Sequence, residues 1–312
     1  MEESKFIELM EKIREIKIMH ADYSRKYHSS KSSAIELARK MWGSITTYRY
    51  EPLSISPDKY MNTMLSAIIS ERFLLRLHRN LWKHITISIV GLGGSGKTTY
   101  SIISAMGALK LIGYPERQIL DAISGLTFFS AKEFVEFSKS LIEKREWVPF
   151  IILDDIGSQI SKYWIFLGQY FWSYLFSVLD QLKDWTGCLI LTARTFESIP
   201  ARLRELSDMV IEAREIDFQG VILDIFSYYM YDDYVSKRRR RQGLKFIDVL
   251  LPTIKMPDVM WKRMLETRRR TGLERLKMVA MALELQPKLE LVRILRMRKQ
   301  VVKREHKTNN SR

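Results

Sequence analysis

The sequence predicts an α/β chain built on a parallel sheet with helices on both faces, and three observations predict it. Between residues 81 and 216, short apolar runs rich in β-branched residues alternate with helix-like segments, the pattern of parallel strands joined by helical crossovers. A glycine-rich turn, Gly91-Leu92-Gly93-Gly94-Ser95-Gly96-Lys97-Thr98-Thr99, joins one such strand to a helix. A later apolar run, Phe150-Ile-Ile-Leu153, ends in two adjacent carboxylates, Asp154 and Asp155.

Taken in chain order, residues 1–80 read as a helical region. Phe6, Leu9, Met10, Ile13 and Ile16 share one face of a first helix, Ser33 to Met41 suits a second, and Asp58 to Leu81 a third. Pro57 ahead of Asp58 fits a helix start. Such a face builds an inter-helix core or docks on another subunit. In the core, 81–216, strands are expected at 85–90, 122–129, 149–154, 188–193 and 209–213, and helices at 97–111, 131–146, 160–183 and 197–206. The continuous run at 150–153 is what a strand buried on both faces looks like. A third region, 217–312, opens with two β-like runs, Val221 to Tyr234 and Leu244 to Leu251. They predict an antiparallel hairpin whose turn carries Lys237 to Arg241 and closes at Gly243. Two basic helices, 258–284 and 288–304, complete the expected fold.

Composition narrows the function classes. The single cysteine, Cys188, excludes an intramolecular disulfide and a cysteine zinc cluster. The first residues do not resemble a signal peptide, and the apolar stretch Tyr163 to Leu182 is interrupted by Gln169, Asp180 and Gln181. A soluble, cytoplasmic protein with no membrane partner is expected. Net charge is +15 and unevenly spread. Residues 217–312 hold 23 Lys and Arg against 11 Asp and Glu, whereas 81–216 hold 14 against 15. A near-neutral core followed by a strongly basic region predicts a polyanionic partner, most economically nucleic acid. The clusters are Arg238 to Arg241, Arg268 to Arg270, and Arg293 to Arg304, while Tyr228, Tyr229, Tyr231 and Tyr234 either stack on bases or pack the hairpin.

The glycine turn carries the chemistry. Gly91, Gly96, Lys97 and Thr98 occupy the defining positions of G-x-x-x-x-G-K-[ST], between a strand and a helix as that motif requires. Glycines let backbone N–H groups turn inward, and the helix N-terminus adds positive potential, so residues 91–99 are expected to cradle phosphates. Lys97 reaches the β and γ phosphates and Thr98 ligates Mg²⁺. Asp154 follows Lys97 by 57 residues, at the sheet edge where the cation needs another oxygen ligand, and Asp155 stands where it can polarise an attacking water. ATP and Mg²⁺ are the expected ligands.

The segment Ile151-Ile-Leu-Asp-Asp-Ile-Gly157 resembles the aspartate motif of bacterial helicase loaders, insertion-sequence transposition ATPases and replication initiators, all AAA+ P-loop ATPases. The resemblance covers roughly residues 81–216. It implies that Thr192, in Leu189-Ile-Leu-Thr-Ala-Arg194, senses the γ phosphate. It also implies an arginine finger within Ile199 to Asp208, with Arg204 the best fit and Arg202 the second. That class carries a small helical lid after its fifth strand, where this sequence reads as a β-hairpin instead. The expectation is an oligomeric, DNA-associated ATPase acting in replication as initiator or helicase loader, beside a helicase or other replication protein. A DNA-translocating or packaging motor and a nucleotide-gated adaptor with little hydrolysis stay open.

Overall fold

The computed structural model describes residues 2–27, 63–81, 83–159, 177–199, 201–216, 220–229, 240–250, 255–274 and 276–277. Met1–Met260 form one compact unit and Trp261–Arg312 a second. The compositional boundaries near residues 80 and 216 therefore fall inside the first unit.

Five strands of the first unit run parallel: β1 (Ile85–Gly91), β2 (Thr127–Phe128), β3 (Ile151–Leu153), β4 (Cys188–Ala193) and β5 (Met209–Ile216). Two more, β6 (Gly220–Tyr229) and β7 (Arg240–Leu250), are antiparallel and extend the same sheet. The order is β2-β3-β4-β1-β5-β6-β7. The two strands thus pair antiparallel as expected, but as part of the central sheet, and Arg240, Arg241 and Gly243, expected in the turn, lie within β7, where strand pairing continues through Tyr229↔Arg240. β6 pairs along the whole of β5, from Ile216↔Gly220 to Met209↔Ser227, so no domain boundary separates them. The sheet is mixed, parallel over five strands and antiparallel at its end.

The helices of the first unit are α1 (Glu3–Tyr27), α2 (Met64–Arg79), α3 (Lys97–Leu111), α4 (Glu116–Leu126), α5 (Ala131–Lys144), α6 (Ile156–Gln159) and α7 (Ala201–Leu206). Residues 177–182 are also helical, and 258–274 form a helix farther on. Strand periodicity assigns the two faces of the sheet. Ile151, Leu153, Leu189, Leu191 and Val90 join Phe134 and Leu141 of α5, Leu179 and Leu182, and Leu203 of α7 in one core. The intervening Ile87, Ile89, Ile152 and Ile190 are fully buried as well, as strands covered on both faces must be. The N-terminal helices make a separate cluster in which Phe6, Leu9, Ile13 and Ile16 of α1 meet Ala67 and Leu74 of α2 and Leu111 of α3.

Two expectations are corrected. The strand at 122–129 shrinks to Thr127–Phe128, because Glu116–Leu126 is a helix burying Ile119, Ile123 and Leu126 at helical spacing. The helix at 197–206 is a 3₁₀ turn, Phe196–Ser198, followed by α7. Thr195 and Ser198 close that turn with a reciprocal capping box. The helix expected at 33–41, most of that at 160–183, the hairpin turn with Tyr231 and Tyr234, and the helix at 288–304 lie outside the described residues. No described helix is long and apolar enough to cross a membrane.

Candidate nucleotide site

The glycine turn begins at the C-terminal end of β1, the strand flanked by β4 and β5. Gly91 is required by crowding: a Cβ there would stand 2.6 Å from the carbonyl oxygen of Ala213 on β5. Its N–H donates to the carbonyl of Arg194, 3.1 Å away, just past the tip of β4. The entry to the turn is thereby pinned between both neighbouring strands. Gly96 is required by conformation, with φ at 73° in the left-handed region, and it serves as the N-cap of α3 without any side-chain cap. The first N–H groups of α3 therefore point toward the turn with no side chain capping them, the arrangement that binds anions.

Lys97 lies over this turn. Its ammonium donates to the carbonyls of Gly91 and Leu92, both at 2.7 Å, and to Ser95 Oγ at 3.3 Å. The side chain is thus curled around the loop that the motif assigns to phosphate.

Beside it sits a compact oxygen cluster. Thr98 Oγ1, in the first turn of α3, donates to Asp154 Oδ1 at 2.6 Å. Thr192 Oγ1, near the end of β4, donates to the same oxygen at 2.7 Å. Asp154 directly follows β3, its N–H donates to the carbonyl of Phe128 at 2.9 Å, and the residue is 1 % exposed. The order β3-β4-β1 places Asp154, Thr192 and Thr98 at one end of three adjacent strands. Thr192 also accepts from the Asp155 N–H at 2.8 Å. Asp155 has φ of 49°, a left-handed conformation that aspartate tolerates better than most residues. Thr192 thus ties the buried carboxylate to the backbone of the half-buried one.

The structure brings Lys97, Thr98, Asp154, Asp155 and Thr192 together, with the turn Gly91 to Thr99 around them. Arg204 stands apart on α7, where its carbonyl accepts from Ser207 N–H at 3.2 Å. The Arg202 side chain lies outside the described residues. The donor set fits Mg²⁺: a hydroxyl and a carboxylate oxygen already converge, and this hard cation takes its remaining ligands from phosphates and water.

Sequence reasoning missed the support behind the phosphate turn. A Cβ on Gly96 would come within 2.7 Å of Leu250 Cδ2, so β7 touches the turn directly. One helical turn on, the hydroxyl of Tyr100 donates to Asp248 of β7. Burial first, and the Asp248 carboxylate second, push the Tyr100 phenol well above its ordinary pKa and keep it a donor. A lone Asp in the apolar run at 244–251 was the available signal.

No family model matches the chain. It is 23% identical over 185 residues to the uncharacterised protein B-251 of Sulfolobus spindle-shape virus 1, covering 58% of this chain and 72% of that protein. Among solved structures, it is similar to the flagellar accessory protein FlaH of Methanocaldococcus jannaschii, with TM-score 0.29 and 14% identity over 54% of this chain and 91% of that one.

Proposed function

We propose that this protein binds ATP with Mg²⁺, hydrolyses it, and works in association with nucleic acid. The observation that carries the reading is the convergence of Thr98 and Thr192 on Asp154 Oδ1, at 2.6 and 2.7 Å, beside an uncapped helix N-terminus. Neither the glycine turn nor a buried carboxylate is specific alone. Their juxtaposition across three strands is what phosphoryl transfer from a nucleotide requires.

Each residue has a task that follows from its contacts. The N–H groups of the turn and of α3 hold phosphate oxygens. Lys97 exchanges the Gly91 and Leu92 carbonyls for phosphate oxygens, trading two neutral acceptors for charged ones. Thr98 and Asp154 hold the cation, which when bound neutralises charge on the β and γ phosphates. Asp155 orients a water for attack, with its backbone fixed by Thr192. Arg204 is assigned to a neighbouring subunit's site in an oligomer, where a guanidinium stabilises charge on the transferred phosphoryl.

Nucleic acid is supported by the excess of 23 basic over 11 acidic residues in 217–312. A role in replication, as initiator or helicase loader, rests on the resemblance at Ile151 to Gly157.

ATP turnover, measured with and without single- and double-stranded DNA, tests this reading. Wild type should hydrolyse ATP, and Lys97→Ala should lose tight binding. Replacing Arg238, Arg239, Arg240 and Arg241 with Ser should weaken DNA binding for unrelated sequences and flatten its salt dependence by about 0.7 to 0.9 of log–log slope per lost phosphate contact. Normal turnover in Lys97→Ala would sink the site assignment, and an unchanged salt slope would remove Arg238 to Arg241 from the DNA contacts. Strong stimulation by DNA with movement along it would favour a motor.

A further inference from the structure

Asp248 is a carboxylate with no solvent exposure, in a strand whose neighbours Ile247, Val249 and Leu250 are buried and apolar. Its oxygens are met from three helices. The Met64 N–H, at the start of α2, lies 3.1 Å from Oδ1 and 2.9 Å from Oδ2. The Tyr100 hydroxyl of α3 donates to Oδ2. His20 Nδ1 of α1 lies 2.9 Å from Oδ1 and 2.9 Å from the Ile247 carbonyl. A buried carboxylate is tolerated only where such donors are held in place. The carboxylate therefore fixes the relative positions of α1, α2, α3 and β7.

One of those helices is the one that opens on the phosphate turn. Tyr100 lies in its first turn, and its N–H donates to the Gly96 carbonyl at 2.8 Å. Leu250, two residues beyond Asp248 and so on the same face of β7, stands against Gly96 itself. β7 thus touches the phosphate-binding turn at its last glycine and again one helical turn later. A second polar link runs alongside, where Thr63 Oγ1 donates to Ser104 Oγ of α3 at 2.9 Å.

We propose that Asp248 and Leu250 are positioning residues for the phosphate-binding turn: β7 sets the first turn of α3, through Tyr100 and Gly96, in the alignment that phosphate requires. This rests on the nucleotide reading above. N–H donors must be held to within about 0.5 Å of productive geometry to bind an anion well. A glycine cap with no side-chain bond of its own has little local rigidity, and β7 supplies it from outside.

The test uses the full chain and a fluorescent ATP analogue with Mg²⁺, titrated into wild type, Lys97→Ala, Tyr100→Phe and Leu250→Ala. Melting temperature is measured for each without nucleotide. Tyr100→Phe removes one hydroxyl and keeps the ring. It should weaken analogue binding about five- to twentyfold, equivalent to roughly 1 to 1.8 kcal/mol at 1.4 kcal/mol per tenfold. Leu250→Ala should act in the same direction. The double variant should lose less than the product of the two, because both act through one turn. In turnover, KM for ATP should rise while kcat stays within about twofold, the split expected when binding geometry is disturbed and chemistry is not.

A structural role alone would lower the melting temperature and leave the affinity unchanged. Folded Tyr100→Phe and Leu250→Ala proteins binding within about twofold of wild type would overturn the positioning role. Should either fail to fold, Leu250→Val, which deletes one methylene, decides by the same criterion. Wild type binding no better than Lys97→Ala would instead overturn the nucleotide reading, an outcome distinct from the first.

Discussion

Replacing Thr192 by Val keeps the volume and β-branching of a strand residue and removes one hydroxyl that serves two partners. That hydroxyl donates to Asp154 Oδ1 at 2.7 Å and accepts from the Asp155 N–H at 2.8 Å, at a position 1 % exposed. Losing a bond to a charged group costs about 1.5 to 3 kcal/mol, and a buried donor left without a partner adds about 1 to 3 kcal/mol. Asp154 retains the Thr98 hydroxyl, and Asp155 is half-buried, so the lower ends apply. The net loss should be about 2 to 4 kcal/mol, which at roughly 2 to 4 °C per kcal/mol for a unit of this size lowers the melting temperature by about 4 to 16 °C. The catalytic effect should exceed the binding effect. The phosphate turn is untouched, so affinity for ATP should change by less than about threefold. Turnover should fall by about ten- to hundredfold, because the backbone of Asp155 loses the bond that fixes the water-orienting carboxylate. Calorimetry and a steady-state phosphate-release assay supply both readouts. Thr192→Ser, which keeps the hydroxyl, should recover most of the turnover. If Thr192→Val turned over ATP at the wild-type rate with an unshifted melting temperature, the link from Thr192 to Asp155 would have no part in catalysis.

Asp155→Asn should bind ATP and hydrolyse it poorly; if Arg204 acts across a shared interface as proposed, mixing with Arg204→Ala subunits should restore part of the activity. No recovery, and no ATP-dependent oligomer in sedimentation, would remove Arg204 from the site. His84 supplies a test of stability against pH: its ring nitrogens lie 2.9 Å from the Thr186 carbonyl and 2.9 Å from Thr86 Oγ1, and burial lowers its pKa from 6.5. The unfolded chain therefore binds the proton more readily, so this contribution is present above about pH 6.5 and is lost as pH falls through the lowered value. Thermal melts of His84→Gln should show a shallower acid-side decline than wild type, and parallel curves would refute the assignment.

The phosphate turn was legible because its chemistry is local: glycines, lysine and threonine at fixed spacing between a strand and a helix. Asp154 was legible because a carboxylate after a fully apolar strand has few places to go. Strand β4 matches its expected limits, 188–193, since the short apolar run Cys188 to Leu191 after Gly187 offers no competing period. The error at 122–129 has a physical source. Ile119, Ile123 and Leu126 are spaced for a helix, but the apolar Leu126 to Phe129 that follows extends the hydrophobic run and masks the change of period. Helix and strand compete for such short runs. The union of hairpin and core was hidden by charge, which shifts near residue 217 while strand pairing continues across the shift. The Asp248 network depends on donors 228, 184 and 148 residues away at His20, Met64 and Tyr100, and such contacts leave no mark in local pattern.

Extending the sheet through β6 and β7 also decides where the sheet stops. In a five-strand version, β5 would expose its unpaired backbone one strand away from β1, which carries the phosphate turn. Open edges recruit strands from other chains. With β6 paired along all of β5, the outermost strand among the described residues becomes β7, two positions farther out. The opposite terminus, β2, is two residues long and offers too little backbone to template a partner. The pairing of β6 with β5 thus keeps the strand beside the phosphate turn from becoming an aggregation edge.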